Sequence, residues 1–280
     1  MISAHHLRRA YEIYRSEGTR TLAEQTKTWC YYRLPVEIRL RLVAWSYYVR
    51  GNPGIGNPLR IYEVPPTDID QGIPKKRFGH DVPEFGIVGG NWHERAVDLD
   101  ERGMPNMLVE HFEDGTPWRD TDHYHEVVEY IRNGDSYGPF DASKQTVSNY
   151  EEYLSYIDDL YTDIKHEGYK RQEELESTHD FLSREIHPVL NEIQVFIGPE
   201  GEFMCKSGAH RLTIAKILKL ESVPVRTQVR HTQWQEVRNE IATADHNTGF
   251  SSSGREYKTH PEIQDTTTTN RFSEVFHLKI

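Results

Sequence analysis

Ser207-Gly208-Ala209-His210-Arg211 sets a glycine turn directly ahead of an apolar run, Leu212-Thr213-Ile214-Ala215, that has the spacing of a helix. A helix starting at such a turn directs unpaired backbone N–H groups, and the positive end of its dipole, at whatever lies in front of it. A phosphate suits that position. Gly208 lets the backbone come close, and the Arg211 guanidinium is a planar fork that matches phosphate oxygens. Lys206 and Ser207 precede the turn. The expected phosphate- or nucleotide-binding set is therefore Lys206, Ser207, Gly208, His210 and Arg211.

Charge points the same way. The 280-residue chain carries a formal net charge of -11. Between Lys206 and Arg238 the balance inverts: Lys206, Arg211, Lys216, Lys219, Arg226, Arg230 and Arg238 face only Glu221 and Glu236. A basic island in an acidic chain fits a local anion site. It does not fit a long nucleic-acid track, which depends on many Lys and Arg neutralising phosphates. A nucleotide or other phosphorylated small molecule is the expected partner, and DNA is disfavoured.

Phosphoryl transfer at this turn would need a carboxylate that orients a nucleophile or holds Mg²⁺. Glu192, just ahead of an expected strand, and Asp158 are the leading catalytic candidates, with Asp159 and Glu202 behind them. Arg230 and His231 end a later strand and are candidate ligand contacts. His111 and the group His123-Tyr124-His125-Glu126 match no metal-ligand spacing, so no metal centre is expected. Cys30 and Cys205 form neither a disulfide framework nor a zinc pattern, which fits a reducing, cytoplasmic setting. No apolar run approaches the length of a membrane span, and the amino terminus lacks a signal-peptide core.

The elements that must hold these residues follow from periodicity. Residues 4–50 read as helical, with Glu37–Tyr48 as a second helix, and Gly51–Pro58 as a break. Leu59–Val64 reads as a strand, and the stretch to residue 122 as turn-rich, with an apolar segment at Phe85–Val88. The turns around Trp92 and Trp118 read as aromatic anchors of loops. His123–Arg132 and Tyr150–His166 are helical, the latter stopped by Gly168; Gln172–Glu185 is a further helix or an insertion. Ile193–Ile197 and Glu202–Lys206 form a hairpin about Pro199-Glu200-Gly201. The helix His210–Leu220, the strand Ser222–Arg230 and the helix Trp234–Ala242 complete the order.

That order, with Gly208-Ala209-His210-Arg211, Ala215, Leu220 and the exit strand Val223-Pro224-Val225, resembles the ParB/sulfiredoxin superfamily over residues 150 to 232. The fold implied is α+β: a small sheet with helices, preceded by a mainly helical, loop-rich region. The resemblance implies a phosphate or nucleotide site (ATP, ADP or CTP) rather than one reaction, since members include partition proteins, sulfiredoxins, nuclease-like domains and serine kinases. Sulfiredoxins keep their catalytic cysteine where this chain has Ala209, so that nucleophile is missing, and Cys205 lies in the preceding strand. The polar residues after the fold are too few for the helix-turn-helix domain of partition proteins. A phosphotransferase or nucleotide hydrolase is the leading expectation. A DNA-acting protein and a non-catalytic nucleotide-binding or scaffold protein are the alternatives. The expected division is 1–140 as an accessory region, 141–245 as the ParB/sulfiredoxin-like domain, and 246–280 as a polar, mobile tail apart from Phe272–Leu278.

Overall fold

The structure is a computed structural model that describes residues 4–35, 38, 39, 42, 59–73, 86–135, 137, 145–175, 187–243, 257 and 259–267. Most of the expected helix at 37–48, the break at 51–58, most of the segment 172–185 and the apolar stretch at 272–278 lie outside these residues; 38, 39 and 42 are helical.

The protein is α+β. Seven strands, β1 (Ile61–Val64), β2 (Gln71–Gly72), β3 (Gly86–Val88), β4 (Val97–Asp98), β5 (Ile193–Ile197), β6 (Phe203–Ser207) and β7 (Val223–His231), make one mixed sheet. The path runs β1-β7-β5-β6-β2-β4, and β3 pairs with β7 beyond β1. The long strand β7 thus has β5 on one side, while β1 and β3 divide its other side end to end. The eight helices among the described residues are α1 (Ala4–Arg33), α2 (Gly103–Phe112), α3 (Asp122–Arg132), α4 (Val147–Glu167), α5 (Pro188–Asn191), α6 (Ala209–Ile217), α7 (Thr232–Thr243) and α8 (Pro261–Thr267).

Sequence explains the central elements directly. Thr146 caps α4 through a reciprocal pair with Asn149, and Gly168, at φ 78°, ends it. The face of α4 carrying Tyr150, Tyr153, Leu154, Ile157 and Ile164 is buried against α2 and α3, as its helical spacing predicts. Helix α6 lies between two cores: Leu212 and Ala215 pack on the sheet, Ile214 on the α2–α3–α4 layer. The other sheet face is covered around Phe196, Met204, Val229, Ile73 and Trp92.

Two differences from the sequence reading have physical causes. The boundary expected near residue 140 does not separate two bodies, because β1–β4 are woven into the sheet of β5–β7. Of these, β1 is the strand expected at Leu59–Val64, while β2–β4 are only two or three residues long, too short for a two-residue alternation to show. The tail expected to be mobile contains α8, whose Glu262 and Ile263 are fully buried. Glu262 explains the docking: Arg230 bonds it in two-pronged fashion at 2.7–3.0 Å, Arg238 lies 3.3 Å away, and Thr227 and Trp234 donate to it at 2.6 and 3.1 Å. Burial pushes the Glu262 pKa up, but the two arginines outweigh it and hold the carboxyl well below the usual carboxylate range.

A β-bulge makes this convergence geometrically available. Val195 pairs with Thr227 but Phe196 pairs with Val229, so Gln228 is an extra residue in β7. Strict alternation would put Thr227 and Arg230 on opposite faces. The extra residue puts both toward α8, where both reach Glu262.

Removing the Glu262 charge strands two buried guanidinium groups, a change that costs several kcal/mol in such settings. Glu262→Gln is expected to lower stability by about 3 kcal/mol, read as a drop in the urea midpoint at neutral pH. An unchanged midpoint would contradict the docking of α8.

Candidate functional site

The turn that opens α6 is held by steric necessity. Gly208 sits at φ 84°, and a Cβ there would meet Ile193 Cα and Cγ1 at 3.1 Å. Only glycine combines that backbone with so close an approach. No side chain caps α6, so no side-chain oxygen occupies the front of its first N–H groups among the described residues. The glycine thereby fixes the start of α6 against the start of β5, where Glu192 lies.

Around this junction the polar groups are unusually incomplete. Glu192 is 3% exposed. Its Oε1 accepts the Gln172 N–H at 2.7 Å, while its Oε2 has no hydrogen-bond partner among the described residues. Arg211 donates through Nη2 to the Asn191 carbonyl, and its buried Nη1 has no partner. The buried Tyr169 hydroxyl, just past the end of α4, is the third such atom. Arg211 acts on Tyr169 by its charge and by a side-chain hydrogen-bond approach too loose to satisfy the hydroxyl, Glu192 acts on it by charge, and Arg211 acts on Glu192, so the three groups share one neighbourhood. Asn191 Nδ2 donates to the Gln172 side chain at 2.7 Å and holds its wall in place.

Electrostatics leaves this neighbourhood poised. Burial raises the Glu192 pKa to about 7, against the lowering effects of the Gln172 N–H, Arg211 and Arg171, with Glu173 adding to the rise. Burial likewise lifts Tyr169 to about 12, so its hydroxyl keeps its proton near neutrality. Glu192 is thus the one carboxyl at the turn that can change charge near neutral pH.

The other candidates are distributed differently. His210 turns its ring to α4, where Nε2 and the Tyr153 hydroxyl share a hydrogen bond of 3.1 Å. Burial, with Arg211 and Arg102, pulls its pKa down to about 4, so the ring is neutral. What His210 offers at the turn is its backbone N–H. Ser207 is exposed beside the turn. Lys206 lies over the Phe196 ring at 5.7 Å, on the opposite side of the sheet from α6. Alternation along β6 puts it there, since Met204, two residues earlier, lies on the same face with Phe196; a second bulge, in which Gln194 pairs with Ser207 and Val195 with Cys205, leaves Lys206 unpaired in the ladder.

Asp158 does not join the turn group; it accepts from Trp118 Nε1 at 3.1 Å and meets His111 Nε2 at 3.1 Å, fastening a stacked His111–Trp118 pair. Asp159 is exposed, and Glu202 accepts the Glu200 N–H in the hairpin turn. Arg230 is consumed by Glu262. His231 Nε2 meets the Gly90 carbonyl at 2.9 Å, and its Nδ1 accepts from Gln233 N–H. Trp92 is buried and donates to the Val88 carbonyl, in keeping with an anchoring role. Cys205 is buried and its thiol is raised to about 11, so it is a poor nucleophile.

Of the residues expected from sequence, the structure therefore brings Gly208, Arg211 and Glu192 together, with Ser207 and the His210 backbone alongside. Tyr169 and Gln172 are additions. Their signal was weak: an aromatic residue and a glutamine in a polar segment after Gly168. The chain matches no family model, no curated protein and no solved structure. No helix among the described residues is long and apolar enough to cross a membrane.

A carboxyl whose folded pKa is raised contributes stability below its unfolded value that is lost as pH rises through the folded value. Glu192 should therefore cost stability progressively from about pH 4.5 to about pH 7. Glu192→Gln is expected to be more stable than the parent by about 3 kcal/mol at pH 8, with the gap closing toward pH 4.5, in urea titrations across pH.

Proposed function

We propose that this chain binds a nucleotide or another phosphorylated small molecule at the turn opening α6, as a ParB/sulfiredoxin-like protein acting in phosphoryl transfer or nucleotide hydrolysis. The observation that carries the reading is the pairing of an uncapped helix start behind Gly208 with a half-buried Arg211 whose buried Nη1 still has a hydrogen to give. Helix N–H groups and a guanidinium are complementary to the same ligand, a phosphate oxygen. The order of hairpin, glycine turn, helix and parallel exit strand supports the family reading, since β5 and β7 run parallel with α6 between β6 and β7.

The roles divide by chemistry. Backbone N–H groups at 209–211 orient the phosphate, and Arg211 neutralises charge that develops on its oxygens. Glu192 is placed to accept or donate a proton at the same spot. A single carboxylate beside a guanidinium is a poor cage for Mg²⁺. The Mg²⁺ of a bound nucleotide would be held by the nucleotide's own phosphates and water. Sulfiredoxin chemistry is not proposed, because Ala209 has no nucleophile and the Cys205 thiol is buried.

A thermal-shift panel of ATP, ADP, CTP, GTP and short DNA tests this reading. At a hundred times its dissociation constant, a ligand adds about 2.7 kcal/mol of stability, which raises the melting temperature by several degrees. We expect a nucleotide to give that shift, DNA to give none, and Arg211→Ala to abolish it, with Arg211→Lys keeping part. Absence of any nucleotide shift in the parent protein, or a full shift in Arg211→Ala, would overturn the proposal.

A further inference from the structure

Three buried polar atoms without a hydrogen-bond partner among the described residues meet where the end of α4, the start of β5 and the start of α6 come together: Tyr169 Oη, Glu192 Oε2 and Arg211 Nη1. Leaving a buried polar atom unpaired costs about 1–3 kcal/mol, and more for a charged group. Three in one place, from three separate elements, is a pattern that a ligand relieves and that packing alone does not explain. Glu192 matters most, because its side chain is almost fully buried and only one of its oxygens is satisfied.

We infer that Tyr169, Glu192 and Arg211 form a pocket for a terminal phosphate, bound together with one proton. The inference rests on the phosphate reading of the α6 turn and specifies which kind of phosphate that turn takes.

The argument is one of matching donors to acceptors. Arg211 Nη1 can only donate, and the Tyr169 hydroxyl holds its proton and donates as well. An ionised Glu192 can only accept. A terminal phosphate dianion also offers only acceptors, three oxygens of them. Two anions cannot face each other in a buried site without a hydrogen between them. One proton resolves the conflict, whether it resides on Glu192 or on the phosphate, and creates a short charge-assisted O–H···O bond. Each of the three protein groups then has one phosphate oxygen.

A phosphodiester fits less well. It has two non-bridging oxygens for three groups, and its own oxygens hold no proton near neutrality. The pocket thus selects the free end of a phosphorylated molecule over the backbone of a nucleic acid, which agrees with the chain's acidic balance.

The groups facing Glu192 are consistent with proton uptake. Arg211 from α6 and Arg171 from the segment after α4 favour its charged form, and Glu173 opposes it. Arg171 is itself occupied by Glu63 of β1, at 2.6 Å. Nothing but Arg211 is therefore in place to neutralise both Glu192 and an incoming phosphate among these residues.

Titration calorimetry of the full chain with methyl phosphate, AMP and dimethyl phosphate tests the inference, run at about pH 8 in two buffers of unequal ionisation enthalpy. Methyl phosphate and AMP, whose phosphate is a proton-free dianion at that pH, are expected to bind with uptake of nearly one proton, and to weaken about tenfold per pH unit above pH 8. Glu192→Gln supplies a permanent donor, so it should bind with no uptake at pH 8 and a flat pH profile. Tyr169→Phe should weaken methyl phosphate about tenfold while keeping the proton uptake. Dimethyl phosphate should not bind.

Binding by the parent without proton uptake, equal uptake in Glu192→Gln, unchanged affinity in Tyr169→Phe, or dimethyl phosphate as tight as methyl phosphate would each overturn this inference and leave the α6 turn as a phosphate site. If methyl phosphate, AMP and ATP all fail to bind the parent protein, the reading of that turn falls, and the inference falls with it.

Discussion

A carboxylate with no access to water must have its charge answered by its neighbours, and Glu262 imposes that requirement on the fold. Its partners come from β7 (Thr227, Arg230) and α7 (Trp234, Arg238), while the carboxylate itself comes from α8. Three elements are thereby locked in one relative orientation. β7 in turn carries β1, β3 and β5 along its two sides. The start of β5 supports Gly208 through Ile193, and so sets where α6 begins. A charge cluster flanking the core that α6 packs on therefore helps fix the position of the candidate site, although none of its members belongs to it.

The fold contains two buried glutamates and treats them in opposite ways. Glu262 has every need met and is held ionised. Glu192 has one oxygen satisfied and a guanidinium nearby without a direct bond, and its pKa rises to about 7. The same side chain serves as a structural pin in one place and as a proton-exchanging group in the other, because of the number of donors supplied to it. Saturation makes a buried charge permanent, and incompleteness makes it responsive.

Much of this was legible in the residues. The apolar spacing of α4, the glycines at 168 and 208, the β5–β6 hairpin, and α6 with its exit strand all read correctly because each follows a local rule of period or backbone freedom. Glu192 and Arg211 were legible for the same reason, each lying one step outside or inside an element with clear signals. What was not legible depended in part on a single extra residue in β7. The bulge at Gln228 breaks the alternation and turns Arg230, a basic side chain that the sequence alone would assign to a ligand, to Glu262. The docking of α8 was hidden because one glutamate in a polar stretch reads as surface until its arginines are known. Tyr169 was hidden because its meaning arises only when three distant segments meet.

The way β1 and β3 divide one side of β7 has a bearing on how this protein behaves in a crowded solution. A nine-residue strand left open along its length would be a template onto which other chains could add. Here that flank is tiled by two short strands of opposite direction, four and three residues long, and the far border of the sheet is the two-residue β4. No border among the described strands offers a foreign backbone more than four consecutive residues of ladder. The shortness that hid β3 and β4 in the sequence is thus also a safeguard against aggregation.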